Sequence, residues 1–126
     1  MVLDIRNKVF VEEQNVSAFE EFDAFDLTSF HFIVKIDGVA CGTARYRETS
    51  EGFKFERFAL LREHRGLGLG YLLIKHMLNE VKLAKKIIYL HAQVHLKTFY
   101  GNVGFVAVGE EFVEAGIVHV KMIYKK

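Results

Sequence analysis

Three glycines fall within five positions at Arg65-Gly66-Leu67-Gly68-Leu69-Gly70, with an arginine ahead of them and a helical pattern behind. Glycine lets backbone pass close to a ligand, and the first N–H groups of a helix have no partner inside it. Those N–H groups and the helix dipole favour an anion, a phosphate above all, and Arg65 adds a charged donor. Two familiar phosphate loops are excluded by the residues present. A P-loop needs Lys and a hydroxyl residue after its last glycine, but Tyr71 and Leu72 follow Gly70. A dinucleotide fingerprint needs Gly-x-Gly-x-x-Gly, whereas the spacing here is Gly-x-Gly-x-Gly. A glycine-rich turn without a ligand is the plain alternative. Arg45 and Arg47, two apart on an expected strand, share a face and could hold a carboxylate or phosphate. They could equally pair with Glu12, Glu13 or Glu56.

These residues need elements to position them. Leu3, Val9 and Phe10 with the charges between them fit a first helix, and Ser17 could cap a second. Residues 30–36 form an apolar run ending at Asp37-Gly38, a strong hairpin signal, and 39–47 continue as the return strand. A turn over 49–52 leads into 53–61, where Lys54 and Glu56 fall on one face and Phe55 on the other. After the glycines, Leu69, Leu72, Leu73, His76, Met77, Glu80 and Val81, mostly apolar, recur at helical spacing, and Lys85 and Lys86 suit the negative end of the helix. A buried strand over 87–90, a short helix over 95–102, and strands over 105–108 and 117–124 joined by a 109–116 loop complete the pattern. The order α, α, β, β, β, α, β, α, β, β predicts a mixed sheet in an α+β or α/β domain.

The length of 126 residues sets one domain, 1–126. With 51% hydrophobic and 26% charged residues, a disordered tail or fibrous repeat does not fit. Seventeen bases against sixteen acids give a net charge of +1, which offers no support for nucleic-acid binding driven by charge. Charge is nonetheless uneven: residues 12–26 hold six acids and no base, and residues 75–97 hold five lysines and one acid. Two solvated faces are the plain reading, an anion-facing and a cation-facing side the sharper one. Cys41 is the only cysteine, which excludes an internal disulfide and a multi-thiolate zinc site, and it reads as a small core residue. His31, His64, His76, His91 and His95 show no metal-ligand spacing, so no metal is expected. No apolar run has membrane-spanning length and the start has no signal-like stretch, so a cytoplasmic protein with no membrane partner is expected.

Arg65-x-x-Gly68-x-Gly70 resembles the [Gln/Arg]-x-x-Gly-x-[Gly/Ala] acyl-CoA motif of the GNAT N-acyltransferases, which that family places at the head of a long helix. Phe99-Tyr100-Gly101-Asn102-Val103-Gly104-Phe105 resembles the family's F-Y-x-x-x-G-F segment, in the same order along the chain. Val9-Phe10-Val11-Glu12-Glu13-Gln14, Gly42 to Arg47, Phe55-Glu56-Arg57, Ala92-Gln93 and Ala115-Gly116-Ile117-Val118-His119 are similar to the ElaA/YjcF-type branch, so the resemblance covers nearly the whole chain. The chain departs from the branch in opening inside the first helix, so the branch's first strand is expected to be missing. It departs again at Val118, where proline is common.

The resemblance implies a GNAT fold, a central mixed, mostly antiparallel sheet flanked by helices. It implies acetyl transfer from acetyl-CoA, the cosubstrate, to a primary amine by direct attack in a ternary complex. Arg65, Gly66, Leu67, Gly68, Leu69, Gly70 and Tyr71 would hold the pyrophosphate. Phe58 and Leu60 would offer backbone groups to the pantetheine arm, and the Leu60 N–H would polarise the thioester carbonyl. Gln93 stands where relatives carry an Asn that contacts the CoA arm, with a core-edge amide as its alternative. Tyr100 would protonate the leaving thiolate. Glu56 is the candidate base, directly or through water (its alternative is an ion pair with Arg45 or Arg57), and His119 is second. Arg45, Arg47 and His119 are the candidate acceptor contacts. The acceptor is a small-molecule or peptide amine, and a homodimer is left open. A non-catalytic acyl-CoA sensor and a structural dimer subunit are the rival readings.

Overall fold

The computed structural model describes residues 2–6, 8–10, 28–66 and 68–125. The expected second helix, the acidic run at 12–26 and Leu67 lie outside the described residues. Among these, six strands form one sheet: β1 (Phe30–Ile36), β2 (Val39–Glu48), β3 (Phe53–Leu60), β4 (Ile88–Gln93), β5 (Phe105–Glu114) and β6 (Ile117–Tyr124). Their spatial order is β1-β2-β3-β4-β6-β5. Every neighbouring pair is antiparallel except β3 with β4. The helices are α1 (Val2–Arg6), α2 (Leu69–Val81) and α3 (Lys97–Val103).

The two faces of the sheet bury different things. On one, Leu73, Ile74, Met77, Leu78 and Val81 of α2 and Tyr100 and Val103 of α3 pack onto Ala44, Tyr46, Phe55, Leu90, Val120 and Met122. Leu69, Leu73, Met77 and Val81 are buried as the expected stripe requires, whereas Leu72 and His76 are exposed and Ile74 and Leu78 complete the buried face, because the apolar face is centred further round the helix. On the other, Ile5, Val9 and Phe10 cover Ala59 at one end, and strand alternation sends Arg45, Arg47, Lys54, Glu56, His91 and His119 to that same side.

Two irregularities build the site. Thr43 pairs with Ala59 but Arg45 pairs with Glu56, so β3 carries one more residue than β2 between those pairs. This β-bulge centres on Arg57, whose φ of 60° lies in the left-handed region. The parallel pairing of β3 with β4 covers only Phe53–Ile88, Lys54–Tyr89 and Phe55–Leu90. Beyond it the two strands no longer pair with each other, though each keeps its other neighbour, and a wedge opens between them.

Several boundaries differ from expectation. Residues 109–116 are not a loop: β5 runs to Glu114, and a two-residue turn with φ of 52° at Ala115 and 76° at Gly116 leads into β6. Between the Val108–Lys121 and Phe112–His119 pairs, three residues of β5 oppose one of β6, so a wide irregularity absorbs the Gly109-Glu110-Glu111 stretch that reads as a loop. Helix α2 ends at Val81 and tightens into a 3₁₀ turn over Lys82–Ala84, with Lys85 left-handed. Lys86 pairs with Glu48 instead of capping the helix. Strand β4 extends to Gln93, and a 3₁₀ turn over Val94–Leu96 delays α3 to Lys97.

Candidate active site

Two cavities open along the wedge and share Phe58, Leu96 and Tyr100 as common wall. The larger, about 550 Å³, runs from the β3 edge at Ala59 and Leu60 to the glycine loop and the start of α2. Gly66 and Gly68 have φ of 80° and 78°, and a Cβ at either would meet nothing within 4 Å. Glycine is required there by the backbone, and the volume beside it is open. The ladder of α2 starts with the Leu72 N–H on the Gly68 carbonyl at 3.1 Å, and no side chain caps that end. The N–H groups of Leu69, Gly70 and Tyr71 therefore point out of the helix at the cavity mouth. Gly70 does a different job: a Cβ there would sit 3.4 Å from the Phe99 ring and 3.5 Å from Leu60, so it sets how closely α2 approaches α3 and β3. Arg65 donates to the Leu60 carbonyl from Nε at 3.0 Å and from an η nitrogen at 2.8 Å, tying the loop to the end of β3. This donor set fits a pyrophosphate, with backbone N–H groups at a helix start and a guanidinium at the rim.

The smaller cavity, about 290 Å³, is polar. Arg47, Lys54, Glu56, His91, Gln93 and His119 line it with Tyr100. Arg45 is not in its wall. The side chain is fully buried, and its Nε donates to Glu56 Oε2 at 2.7 Å. Arg47 Nε donates to the same oxygen at 3.0 Å, while Lys54 Nζ lies 3.4 Å from Oε1. Burial raises the Glu56 carboxyl, but Arg45, Lys54, Arg57 and Arg47 outweigh it and leave the pKa below its ordinary value. Of the alternatives open at Glu56, these contacts are those of an ion-pair centre. The two arginines share a face as their spacing predicts, and both turn to Glu56.

Tyr100 is buried between Phe58, Phe99 and Phe105, with ring centroids 5.9, 5.1 and 6.2 Å away. Burial pushes its phenol well above the ordinary value, so the hydroxyl stays protonated at any working pH. His119 Nδ1 lies 2.7 Å from the Ile117 carbonyl, to which it must donate. The residue sequence reasoning did not single out is Glu114. Its Oε1 is 3.0 Å from His91 Nδ1 and its Oε2 is 3.8 Å from His119 Nε2. The hydrogen bond from His91 holds the Glu114 carboxyl down at about 2, against the opposing effect of burial. The expected 109–116 loop hid this carboxylate. The Glu114–Ile117 pairing across the tight turn brings it back beside His119.

A sequence profile described as an acetyltransferase (GNAT) domain matches residues 5–126. The chain is 35% identical over 122 residues to the uncharacterized N-acetyltransferase YjcF of Bacillus subtilis, covering 94% of this chain and 86% of that protein. Among solved structures, Escherichia coli ElaA superposes with a TM-score of 0.88 at 30% identity, over 98% of this chain and 87% of ElaA. An acyl-CoA N-acyltransferase from Pseudomonas aeruginosa superposes with a TM-score of 0.87, also at 30% identity, over 98% and 88%.

Proposed function

Because the chain belongs to the acetyltransferase (GNAT) family, we propose that it transfers an acetyl group from acetyl-CoA to a primary amine by direct attack while both substrates are bound. The observation that carries this reading is the meeting of two chemically different cavities at Phe58 and Tyr100. The larger, with its open glycine backbone and helix N–H groups, suits the pyrophosphate and arm of CoA. The β3 edge beyond the last β3–β4 pair at Phe55 leaves backbone free to take an extended arm as an added strand. Phe58 and Leu60 flank that edge, and the Leu60 N–H is the donor for the thioester carbonyl. The smaller cavity suits the amine.

Acetyl-CoA supplies an activated acyl group on a thiol leaving group. The residues then divide the remaining work. Gln93, at the end of β4, lines the smaller cavity and not the larger, so it borders the acceptor and not the CoA arm expected for it. Tyr100, at the junction, donates its proton to the departing sulfur. Burial raises the phenol, and the same loss of water raises a thiol formed beside it. Glu56 holds Arg47 and Lys54 in place along the cavity wall, with the buried Arg45 behind it. Arg47 and His119 then border the acceptor.

Incubation with acetyl-CoA and a panel of primary amines tests this. The panel should include n-propylamine, lysine, spermidine and glucosamine, with release of free thiol as the readout. Amine-dependent thiol release supports transfer. CoA binding with no release across the panel favours the acyl-CoA sensor.

A further inference from the structure

The amine must lose protons to react, and Glu56, with both oxygens engaged by cations, is a poor acceptor for them. We infer that His91, oriented by Glu114, is the general base of the acceptor cavity. This rests on the acetyltransferase reading above and adds to it a catalytic residue and the residue that positions it.

The tautomer follows from the partner. Glu114 is a carboxylate that can only accept, so His91 Nδ1, at 3.0 Å from its Oε1, carries the hydrogen. A neutral His91 ring therefore has its lone pair on Nε2. Among the described residues, no hydrogen bond occupies that nitrogen, and His91 lines the polar cavity together with Tyr100. The ring is held on both sides. Phe112 meets it edge-on at a centroid distance of 5.0 Å, and Tyr89 lies 6.1 Å away on the same strand. A carboxylate that fixes the tautomer and orientation of an imidazole, and steadies its charged form, is how bases of this kind are built.

His119 does not offer the same opening. Its Nδ1 is spent on the Ile117 carbonyl, and its Nε2 faces Glu114 Oε2. The charged and titratable groups around His91 are Glu114 on β5, His119 and Lys121 on β6, Lys54, Glu56 and Arg57 on β3, Arg47 on β2, Tyr100 on α3, and Tyr89 on its own strand. Lys121, opposite His91 in register, is held by Glu51 and lies 5.1 Å from the Tyr89 ring centre. Lys54 faces Glu56 and also helps to lower Glu114. Among the described residues, no group of three His, Cys, Asp or Glu side chains could hold a metal ion.

The protons balance. His91 Nε2 takes one proton from the ammonium form of the acceptor and passes it to solvent. The freed amine nitrogen bonds to the thioester carbonyl carbon, and the carbon–sulfur bond breaks with its electron pair on sulfur. Tyr100 gives its proton to the sulfur and recovers the second proton from the new amide nitrogen. The products are the acetylated amine, CoA thiol and one proton in solution.

Two measurements test this on the full chain. The first is the long-range ¹H–¹⁵N spectrum of histidine-labelled protein. It should show the neutral His91 ring protonated at Nδ1 and bare at Nε2, and Glu114→Gln should weaken that preference. A His91 ring protonated at Nε2 would overturn the assignment. The second is acetyl transfer to n-propylamine across pH. His91→Gln should lower kcat by about 10²–10⁴-fold, remove the acidic limb of the profile, and leave the KM for acetyl-CoA within about twofold. Glu114→Gln should lower kcat by about tenfold or more and displace that limb to lower pH, which a merely structural role would not do. An acidic limb that survives in His91→Gln but disappears in Glu56→Gln or His119→Gln would move the base to that residue and overturn the inference. Absence of transfer by the wild-type protein with every amine of the panel would instead refute the acetyltransferase reading on which the inference stands.

Discussion

Alanine at Gly68 and alanine at Gly101 are the same chemical change with opposite expected signs. Gly68 sits at the head of α2 with φ of 78° and ψ of 9°. A side chain in that left-handed conformation costs roughly 1–2 kcal/mol, and with nothing within 4 Å of the new Cβ no packing offsets it. For a chain of this size that is a fall in Tm of about 4–8 °C. Gly101 lies exposed inside α3, and a Cβ there also meets nothing within 4 Å. Alanine is the better helix former by about 0.5–1 kcal/mol, so Gly101→Ala should melt about 2–4 °C higher. Thermal melts with and without CoA then separate fold from ligand. At about 100 times its dissociation constant, CoA should stabilise the wild-type protein by ~2.7 kcal/mol. Gly101→Ala should keep that increment. Gly68→Ala should shrink it and Gly68→Val abolish it, because each places carbon in the space that lets a phosphate reach the backbone. An unchanged melting point for Gly68→Ala would contradict the left-handed backbone. A full CoA increment in Gly68→Val would remove the loop from the binding site.

Tyr100→Phe keeps the ring against Phe58 and Phe105 and removes only the hydroxyl; steady-state kinetics should show kcat down by about 10²–10⁴-fold with CoA affinity nearly unchanged. Arg45→Met strips the buried Glu56 carboxylate of a fully buried partner and should cost about 3–5 kcal/mol in urea denaturation. The double variant with Glu56→Gln should recover part of that loss, and no recovery would show that Arg45 stabilises by packing alone. The Glu114 carboxyl is held down at about 2 by His91, so its contribution is present above its ordinary value of 4.5 and is lost as pH falls toward 2. The stability gap between wild type and Glu114→Gln, about 1 kcal/mol after solvent screening of this partly exposed group, should therefore close across pH 4.5 to 2 in acid titrations followed by circular dichroism.

Local signals carry most of this fold. Asp37-Gly38, with φ of 50° and 80°, makes the hairpin that its residue types predict, and the four-residue spacing of Leu69, Leu73, Met77 and Val81 lies on the buried face of α2. The glycine loop was legible because backbone conformation and ligand access make the same demand of Gly66 and Gly68. The acceptor side was far less legible, because its partners come together only through long-range pairing. Glu114 reaches His91 across β6, through the Gln93–His119 and Glu114–Ile117 registers. Nothing in the spacing of residues 91 and 114 states that pairing. Glu110 and Glu111 also made the segment read as a solvated loop, when it is strand interrupted by an irregularity.

The bulge at Arg57 links these levels. Before it, Phe55 faces the α2 side and Glu56 the α1 side; after it, Phe58 faces the α2 side again and Ala59 packs under α1. Strict alternation would have put Arg57 into the apolar core and turned Phe58 out of it. The two adjacent charged residues Glu56-Arg57 between Phe55 and Phe58 are the trace of that extra residue in the sequence. The consequences are functional as well as steric. The change of phase places Glu56 beside Arg45 and Arg47 while Phe58 contacts Tyr100, so one strand contributes to both cavities. It falls just past the last β3–β4 pair, where β3 stops pairing with β4 and its edge becomes available to a ligand. A regular strand pairing along its whole length would close the wedge in which the two cavities meet.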